Sequence, residues 1–326
     1  MLCKPLERKG LSNSTINVIA ASWRASTKKQ YNVYLRKWKK YCKNKGISYL
    51  QARSNDVLEF LSELFHKENS SYSVINCARS ALSSFLVLDD AQSVGDHPLI
   101  SRFVKGVFHL RPPTPRYEEI WDVNLVLNLL RKWAPANSLN LKYLTLKLCT
   151  LMALISAQRV QSIHYLHLDQ MAVKEGSAQF TFKDLLKHDR PGKSSFTLKM
   201  KAYPPDRRLC VVNYLRHYVQ RTKNIRGNER YLFVSFKKPH GRVSAQTIAR
   251  WIKDTLCASG IDTSVYKAHS TRAASTSAAN NANLPIGKIL AQAGWSSERT
   301  FRKFYNKPVE IATRDFSHTL LRASHS

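Results

Sequence analysis

Acidic residues are scarce in this chain. Lys and Arg number 52 against 22 Asp and Glu, a formal charge of +30 over 326 residues, and self-repulsion of that size is kept only where something offsets it. The excess is too large and too evenly spread for surface solvation alone, so a polyanionic partner, nucleic acid, is expected. Carboxylates able to converge on two metal ions are missing as well. Asp169, Asp184 and Asp254 stand apart in no pattern, which argues against a metal-dependent nuclease or transposase. The six cysteines (Cys3, Cys42, Cys77, Cys149, Cys210 and Cys257) are single, with no C-x-x-C pair and no histidine at zinc spacing. They read as reduced, mostly buried thiols. Long apolar runs are absent too: the longest, around Leu148 to Ala157, is too short to span a bilayer. No signal-peptide stretch, no lipidation signal and no concentrated basic segment with an apolar face is found, so no membrane partner is expected. The compartment expected is the nucleus if the source is eukaryotic, and the cytoplasm otherwise.

What is present is enough apolar sequence, 43%, to give each of two domains a core. Ser26 is a candidate cap for a helix with Tyr31, Tyr34, Leu35, Trp38, Tyr41 and Cys42 on one face. The opposite face carries Lys28, Lys29, Arg36, Lys37, Lys39, Lys40 and Lys43. Seven cations without a carboxylate are not a salt-bridge pattern, and this face is expected to contact phosphates. Ser54 is expected to cap a second helix through Val57, Phe60, Leu61, Leu64 and Phe65. A third carries Cys77, Ala78, Ala81, Leu82, Phe85 and Leu86, and shorter helices are expected at Asn13 to Ala21 and Leu99 to Val107. Residues 12–110 thus read as an all-helical domain. The prolines of Arg111-Pro112-Pro113-Thr114-Pro115-Arg116 cannot continue a helix, and residues 111–123 read as a semi-rigid linker.

The remaining residues, 124–326, read as a second, α+β domain with a C-terminal tail. Helices are expected at Asn124 to Trp133 and Leu139 to Ser156, the latter apolar all round and so in the core. The period then changes to alternation at His164 to Lys174, Ala178 to Lys183 and Ser194 to Met200, with turns at Glu175-Gly176-Ser177 and Asp189-Arg190-Pro191-Gly192. A three-stranded antiparallel sheet follows from that pattern, and then helix again. The fold class expected is mainly α with a small antiparallel sheet. No internal repeat or low-complexity segment is evident.

Four features of the second domain stand in a telling order: Arg159 in Ser156-Ala157-Gln158-Arg159, Lys187 in the turn between two strands, the H-x-x-R of His269-Ser270-Thr271-Arg272, and Tyr305 after Gly294-Trp295. Alone each is weak, since an H-x-x-R arises by chance and a tyrosine after a helix is usually core. Together they resemble the catalytic domain of the tyrosine recombinase, or phage integrase, family. The resemblance extends over nearly the whole chain, because the helical first domain with its basic helix is similar to the family's core-binding domain. Ala-His-Ser-Thr-Arg-Ala-Ala-Ser and Lys-Phe-Tyr-Asn-Lys-Pro are closest in style to recombinases of eukaryotic DIRS-type retrotransposons. Two departures are visible. Ser162 stands where many members carry an acid, and the interval from Trp295 to Tyr305 is about one residue longer than usual.

The residue types suit the chemistry that the resemblance implies. Attack of a phenol on a phosphodiester builds negative charge on the non-bridging oxygens, which the paired donors of Arg159 and Arg272 neutralise. A tyrosine with its usual pKa of about 10 is hardly ionised at neutral pH, so Tyr305 needs an electropositive site or a base, and His269 supplies either. Lys187, with Lys183 second, is the candidate acid for the departing 5′-oxygen. The indole N–H of Trp295 holds a phosphate oxygen. The expected enzyme is a site-specific DNA recombinase or integrase acting through a 3′-phosphotyrosyl link, for mobile-element integration. It is expected to need no metal, ATP or other cofactor, to close its two domains as a clamp on double-stranded DNA, and to work as a homo-oligomer, a tetramer. Two other readings stay open: a recombinase descendant that binds DNA without cutting it, and a type IB topoisomerase. Phe316, Leu320 and Leu321 near the end of the chain pack either on their own domain or, as the resemblance implies, on a neighbouring protomer.

Overall fold

Helical periodicity dominates the sequence and helix dominates the fold. The computed structural model describes residues 6–7, 10–88, 92–187, 189, 192 and 196–309. The chain divides into two units between Pro115 and Arg116, each with its own core.

In the first unit, α1 (Asn13–Ala21) starts where the Ser12 hydroxyl accepts the Thr15 N–H at 3.3 Å. The long α2 (Ala25–Lys45) follows and stops at Gly46, whose φ of 66° is open to glycine at little cost. Its buried stripe is Leu35, Trp38, Tyr41 and Cys42. Trp38 is fully buried, meets Phe60 edge to face at 5.2 Å and donates its indole N–H to the Tyr49 carbonyl at 3.0 Å. Phe60 lies on α3 (Ser54–His66), and α4 (Tyr72–Ser83) and α5 (Pro98–Leu110) complete the core with Ile75, Leu82, Ile100 and Val107.

Three sequence expectations change here. Ser26 and Ser54 do not cap their helices; the cap positions are Arg24 and Arg53. At the second of these Asp56 reaches back to accept the Arg53 backbone N–H at 3.0 Å, so the capping carboxylate lies inside the first turn. The unit is also not purely helical: β1 (Gln51–Ala52) and β2 (Val87–Leu88) pair in parallel over two residues each, too few to show a period.

In the second unit, Asp122 caps α6 (Val123–Lys132) and Asn140 caps α7 (Leu141–Ser156). Nearly every residue of α7 from Leu144 on is buried, so it is the axis of this core. The short α8 (Val160–His164) leads to β3 (Met171–Lys174), β4 (Ser177–Thr181) and β5 (Thr197–Lys201), an antiparallel meander in the order β3-β4-β5. Ala178, Phe180, Leu198 and Met200 alternate inward. The first strand is shorter than its sequence pattern, because residues 160–164 are helical and Leu166 to Leu168 bond across to Arg230 and Leu232 instead. The rest is helical: α9 (Val211–Thr222), α10 (Ala245–Ala258), α11 (Ser270–Asn281), α12 (Ile286–Ala293) and α13 (Glu298–Phe304). After α13 the chain returns to the start of the unit, where the Ile120 N–H donates to the Pro308 carbonyl at 2.8 Å. The expected tail set Phe316, Leu320 and Leu321 lies outside the described residues, as do Arg190 and Pro191 of the predicted turn. Among the described residues no helix is long and apolar enough to cross a membrane.

Candidate active site

Helix α11 supplies two of the expected residues because its start is fixed from several sides. The Trp121 indole donates to Ser270 Oγ at 2.9 Å, Ser270 Oγ donates to the Lys267 carbonyl at 2.7 Å, and Thr271 Oγ1 donates to the Ala268 carbonyl at 2.7 Å. His269 sits at the cap position, and Arg272 points into the unit with no exposed surface. Small neighbours, Ala273, Ala274 and Ser277, let α11 pack against α7. Arg159 occupies the turn between α7 and α8, half-buried.

Tyr305 caps the C-terminal end of α13. Its hydroxyl lies 3.2 Å from Nε2 of His269, and the two rings meet edge to face at 5.9 Å. The Trp295 ring lies 4.4 Å from the Tyr305 ring, and the Arg272 guanidinium sits 4.7 Å from the first and 5.5 Å from the second. Ser277, which sequence reasoning missed, secures this turn: its hydroxyl donates to the Tyr305 carbonyl at 2.8 Å and accepts the Lys307 N–H at 3.0 Å. A serine in mid-helix gives no such signal in sequence.

The electrostatics follow from this crowding. Surrounding protein and then the charges of Arg272, Arg159 and Lys187 push the His269 imidazole down to about 4, so it is neutral at physiological pH. Burial and the neighbouring Arg159 bring Arg272 down to about 10, still charged at pH 7. Tyr117 next to the site is raised, by burial first and then by Tyr305. Lys187 is exposed and its charge reaches His269, whereas the charge of Lys183 acts on Asp169. Thus Arg159, Lys187, His269, Arg272, Trp295 and Tyr305, spread over 147 positions from first to last, gather in one place.

Among the described residues three donors at this place have no hydrogen-bond partner: Nε and Nη1 of Arg272 and the indole N–H of Trp295, all three atoms buried. Each such orphan costs about 1–3 kcal/mol. A fold retains several together where a ligand with acceptor oxygens completes them. Two guanidiniums and an indole N–H around a phenol form a receptor for a tetrahedral oxyanion.

In the first unit, Lys29, Arg36, Lys39, Lys40 and Lys43 are exposed along α2 and Lys28 is half-buried. Arg36, Lys39, Lys40 and Lys43 line a concave surface with Ile47 and Tyr49. Lys37 departs from the expectation of a carboxylate-free face: it pairs with Glu68, brought near by the following helices rather than by sequence. Among the described residues no group of three or more His, Cys, Asp or Glu is placed to hold a metal ion.

The second unit carries a known family profile, and the fold recurs in solved structures. The profile of the phage integrase family matches residues 126–310. No curated protein sequence matches the chain. Among solved structures, a XerH site-specific recombinase bound to palindromic difH substrate in a post-cleavage complex is similar at TM-score 0.60 and 12% identity, over 91% of this chain and 78% of that one. The Tn1549 transposon integrase in complex with transposon right end DNA is similar at TM-score 0.53 and 14% identity, over 84% and 86%. A lambda integrase dimer bound to a COC′ core site is similar at TM-score 0.51 and 14% identity, over 96% and 76%.

Proposed function

The chain belongs to the phage integrase family, and from that premise we propose that it is a site-specific DNA recombinase that breaks and rejoins strands through Tyr305. The observation that carries this reading is the Tyr305 hydroxyl at 3.2 Å from His269, beside the buried Arg272 guanidinium and the half-buried Trp295 indole, whose buried donors are unpaired among the described residues. The Tyr305 oxygen attacks the scissile phosphorus and its proton passes to neutral His269 Nε2. Arg159, Arg272 and Trp295 hold the non-bridging oxygens as charge grows on them. The phosphorus–oxygen bond to the 5′ side breaks, and Lys187 gives that oxygen its proton. The product is a 3′-phosphotyrosyl link, which keeps the energy of the broken bond until a 5′-hydroxyl attacks it, so neither ATP nor a metal enters the balance.

The exposed cations Lys29, Arg36, Lys39, Lys40 and Lys43, free to meet phosphates, support the reading of double-stranded DNA as partner, with the two units closing on it as a clamp and the chain acting as a tetramer. The motif style supports a DIRS-type mobile element, hence integration and a nuclear site of action. Because Tyr305 meets His269 of its own chain, the nucleophile serves its own site.

The test is a suicide duplex built on the terminal repeats of the encoding element. The unaltered chain should give a covalent adduct that survives denaturation, and Tyr305→Phe should give none. A mixture of Tyr305→Phe with Arg159→Ala should stay inactive; recovery of adduct would show the tyrosine working in a partner's site. Tight binding without any adduct would leave a DNA-binding protein only, and adduct without strand exchange would point to a topoisomerase.

A further inference from the structure

The turn that presents Arg159 is held by a bond no sequence pattern announces. Helix α7 ends at Ser156, Ala157 takes a φ of 49°, and Gln158 follows with 1% of its surface exposed. A left-handed alanine is disfavoured, so tertiary contacts must hold the turn. Gln158 Nε2 donates to the backbone carbonyl of Gln292 at 2.7 Å, and Gln292 Nε2 donates back to the carbonyl of Ile155 at 3.0 Å. The two glutamines therefore join the end of α7 to the last turn of α12. The next carbonyl, that of Ala293, accepts Arg272 Nη2 at 3.1 Å, and two residues later Trp295 packs on Tyr305 at 4.4 Å. Residues 292–295 thus touch the turn of one arginine, the side chain of the other and the ring of the tyrosine.

A side chain serving only to fill space here would be apolar, since burying an amide costs free energy unless all its groups are paired. Among the described residues Gln158 Oε1 is buried without a partner, so the amide is retained at a cost for the one bond its N–H makes. The Gln292 carbonyl can only accept, which fixes the amide orientation.

We propose that Gln158 is a positioning residue, whose bond to the Gln292 carbonyl sets the Arg159 guanidinium in register with Arg272 and Tyr305. This rests on the recombinase reading above. Displacement of a catalytic group by an ångström can cost up to a hundredfold in rate, so loss of one such bond should cost roughly tenfold.

The test measures single-turnover adduct formation by the full chain on the suicide duplex, with duplex affinity and thermal melting measured alongside. Gln158→Met keeps the volume and removes the donor. It should slow cleavage roughly tenfold with duplex affinity within about twofold. In an Arg159→Lys background, where no planar fork remains to be oriented, the same change should slow cleavage no further. Gln292→Met, which removes only the return bond, should give a smaller loss that also vanishes in that background. Cleavage by Gln158→Met at the unaltered rate, or an equal loss with and without Arg159, would overturn the inference while leaving the recombinase reading intact. Failure of Gln158→Met to fold, with Gln292→Met as fast as the unaltered chain, would overturn it too. Absence of adduct from the unaltered chain would overturn both.

Discussion

The two units hold positive charge in opposite ways. Along α2 most of the cations stand in water, where each costs little to keep, and Arg36, Lys39, Lys40 and Lys43 form a shared concave surface. In the second unit Arg272 has no exposed surface, two donors unpaired among the described residues and a second guanidinium close enough to lower its pKa. Charge of the first kind is additive and screened by salt. On the proposed mechanism, charge of the second kind is concentrated where one oxyanion forms, and its desolvation penalty is recovered only when that anion is present. On that reading, we propose, the contrast assigns affinity to one unit and rate to the other.

The strongest way to break that assignment is Arg272→Ala. It should lower the single-turnover adduct rate by a thousandfold or more while changing duplex affinity by less than about tenfold. Arg272→Lys should be nearly as severe, because an ammonium cannot replace two donors in a fixed plane. A variant that loses affinity and rate in equal measure would show that the buried guanidinium serves binding instead.

The complementary change replaces Arg36, Lys39, Lys40 and Lys43 with glutamine. Affinity should then weaken at every ionic strength, and the slope of log affinity against log salt should flatten by about 0.9 for each phosphate no longer neutralised. Cleavage at saturating protein should stay within a few-fold of the unaltered rate. Lys37→Gln alone should change the slope little, since that side chain is already paired with Glu68.

Much of this contrast is legible in sequence, and what is not has physical causes. The helices show themselves through apolar residues recurring at three and four, and the candidate site through the order of Arg159, Lys187, His269, Arg272, Trp295 and Tyr305. The caps escape a local reading because Asp56 bonds backward from inside the first turn. The stretch from His164 alternates like a strand, yet its first residue ends a helix and the next few pair with Arg230 and Leu232, so alternation reports burial on one side rather than a ladder. The Gln158 to Gln292 bond and the Ser277 bridge join residues 134 and 28 positions apart. No local pattern encodes such a distance, and only the packing of α7, α11 and α12 brings them together.

A pH profile sharpens the comparison at the level of a single proton. His269 ordinarily titrates near 6.5 and here is held down to about 4. If it accepts the Tyr305 proton, it is competent whenever neutral, and adduct formation should persist down through pH 6.5 and fail only as pH approaches about 4. A rate that halves near 6.5 would mean a histidine with ordinary surroundings in the DNA-bound state. The same shift makes a stability statement. Below 6.5 the unfolded chain binds a proton that the folded site refuses, so folding stability contributed here declines as pH falls from about 6.5 to about 4.

Lys147 offers the smallest effect and separates burial from function, for it is a buried cation with no substrate to meet. It is fully buried on α7, donates to the carbonyls of Leu130 and Trp133 at 2.6 and 2.5 Å, and lies 3.8 Å from the Tyr214 ring. Burial is the main cause that lowers it to about 7, with Arg208 adding to the shift and Asp206 opposing it. An unfolded lysine keeps its proton to about 10.4. Between those values the unfolded state binds more protons, so this group adds stability as pH rises from about 7, at most about 1.4 kcal/mol per unit. Lys147→Met should remove that slope: the unaltered chain should gain on the variant in melting temperature by a few degrees between pH 7 and 9. Adduct formation by the variant at pH 7 should match the unaltered chain, whereas Arg272→Ala, at an equally buried position, should slow it a thousandfold or more. Parallel melting curves for the two proteins across that range would mean that Lys147 is charged in the core as it is in water, and that burial alone does not destabilise a cation in this fold.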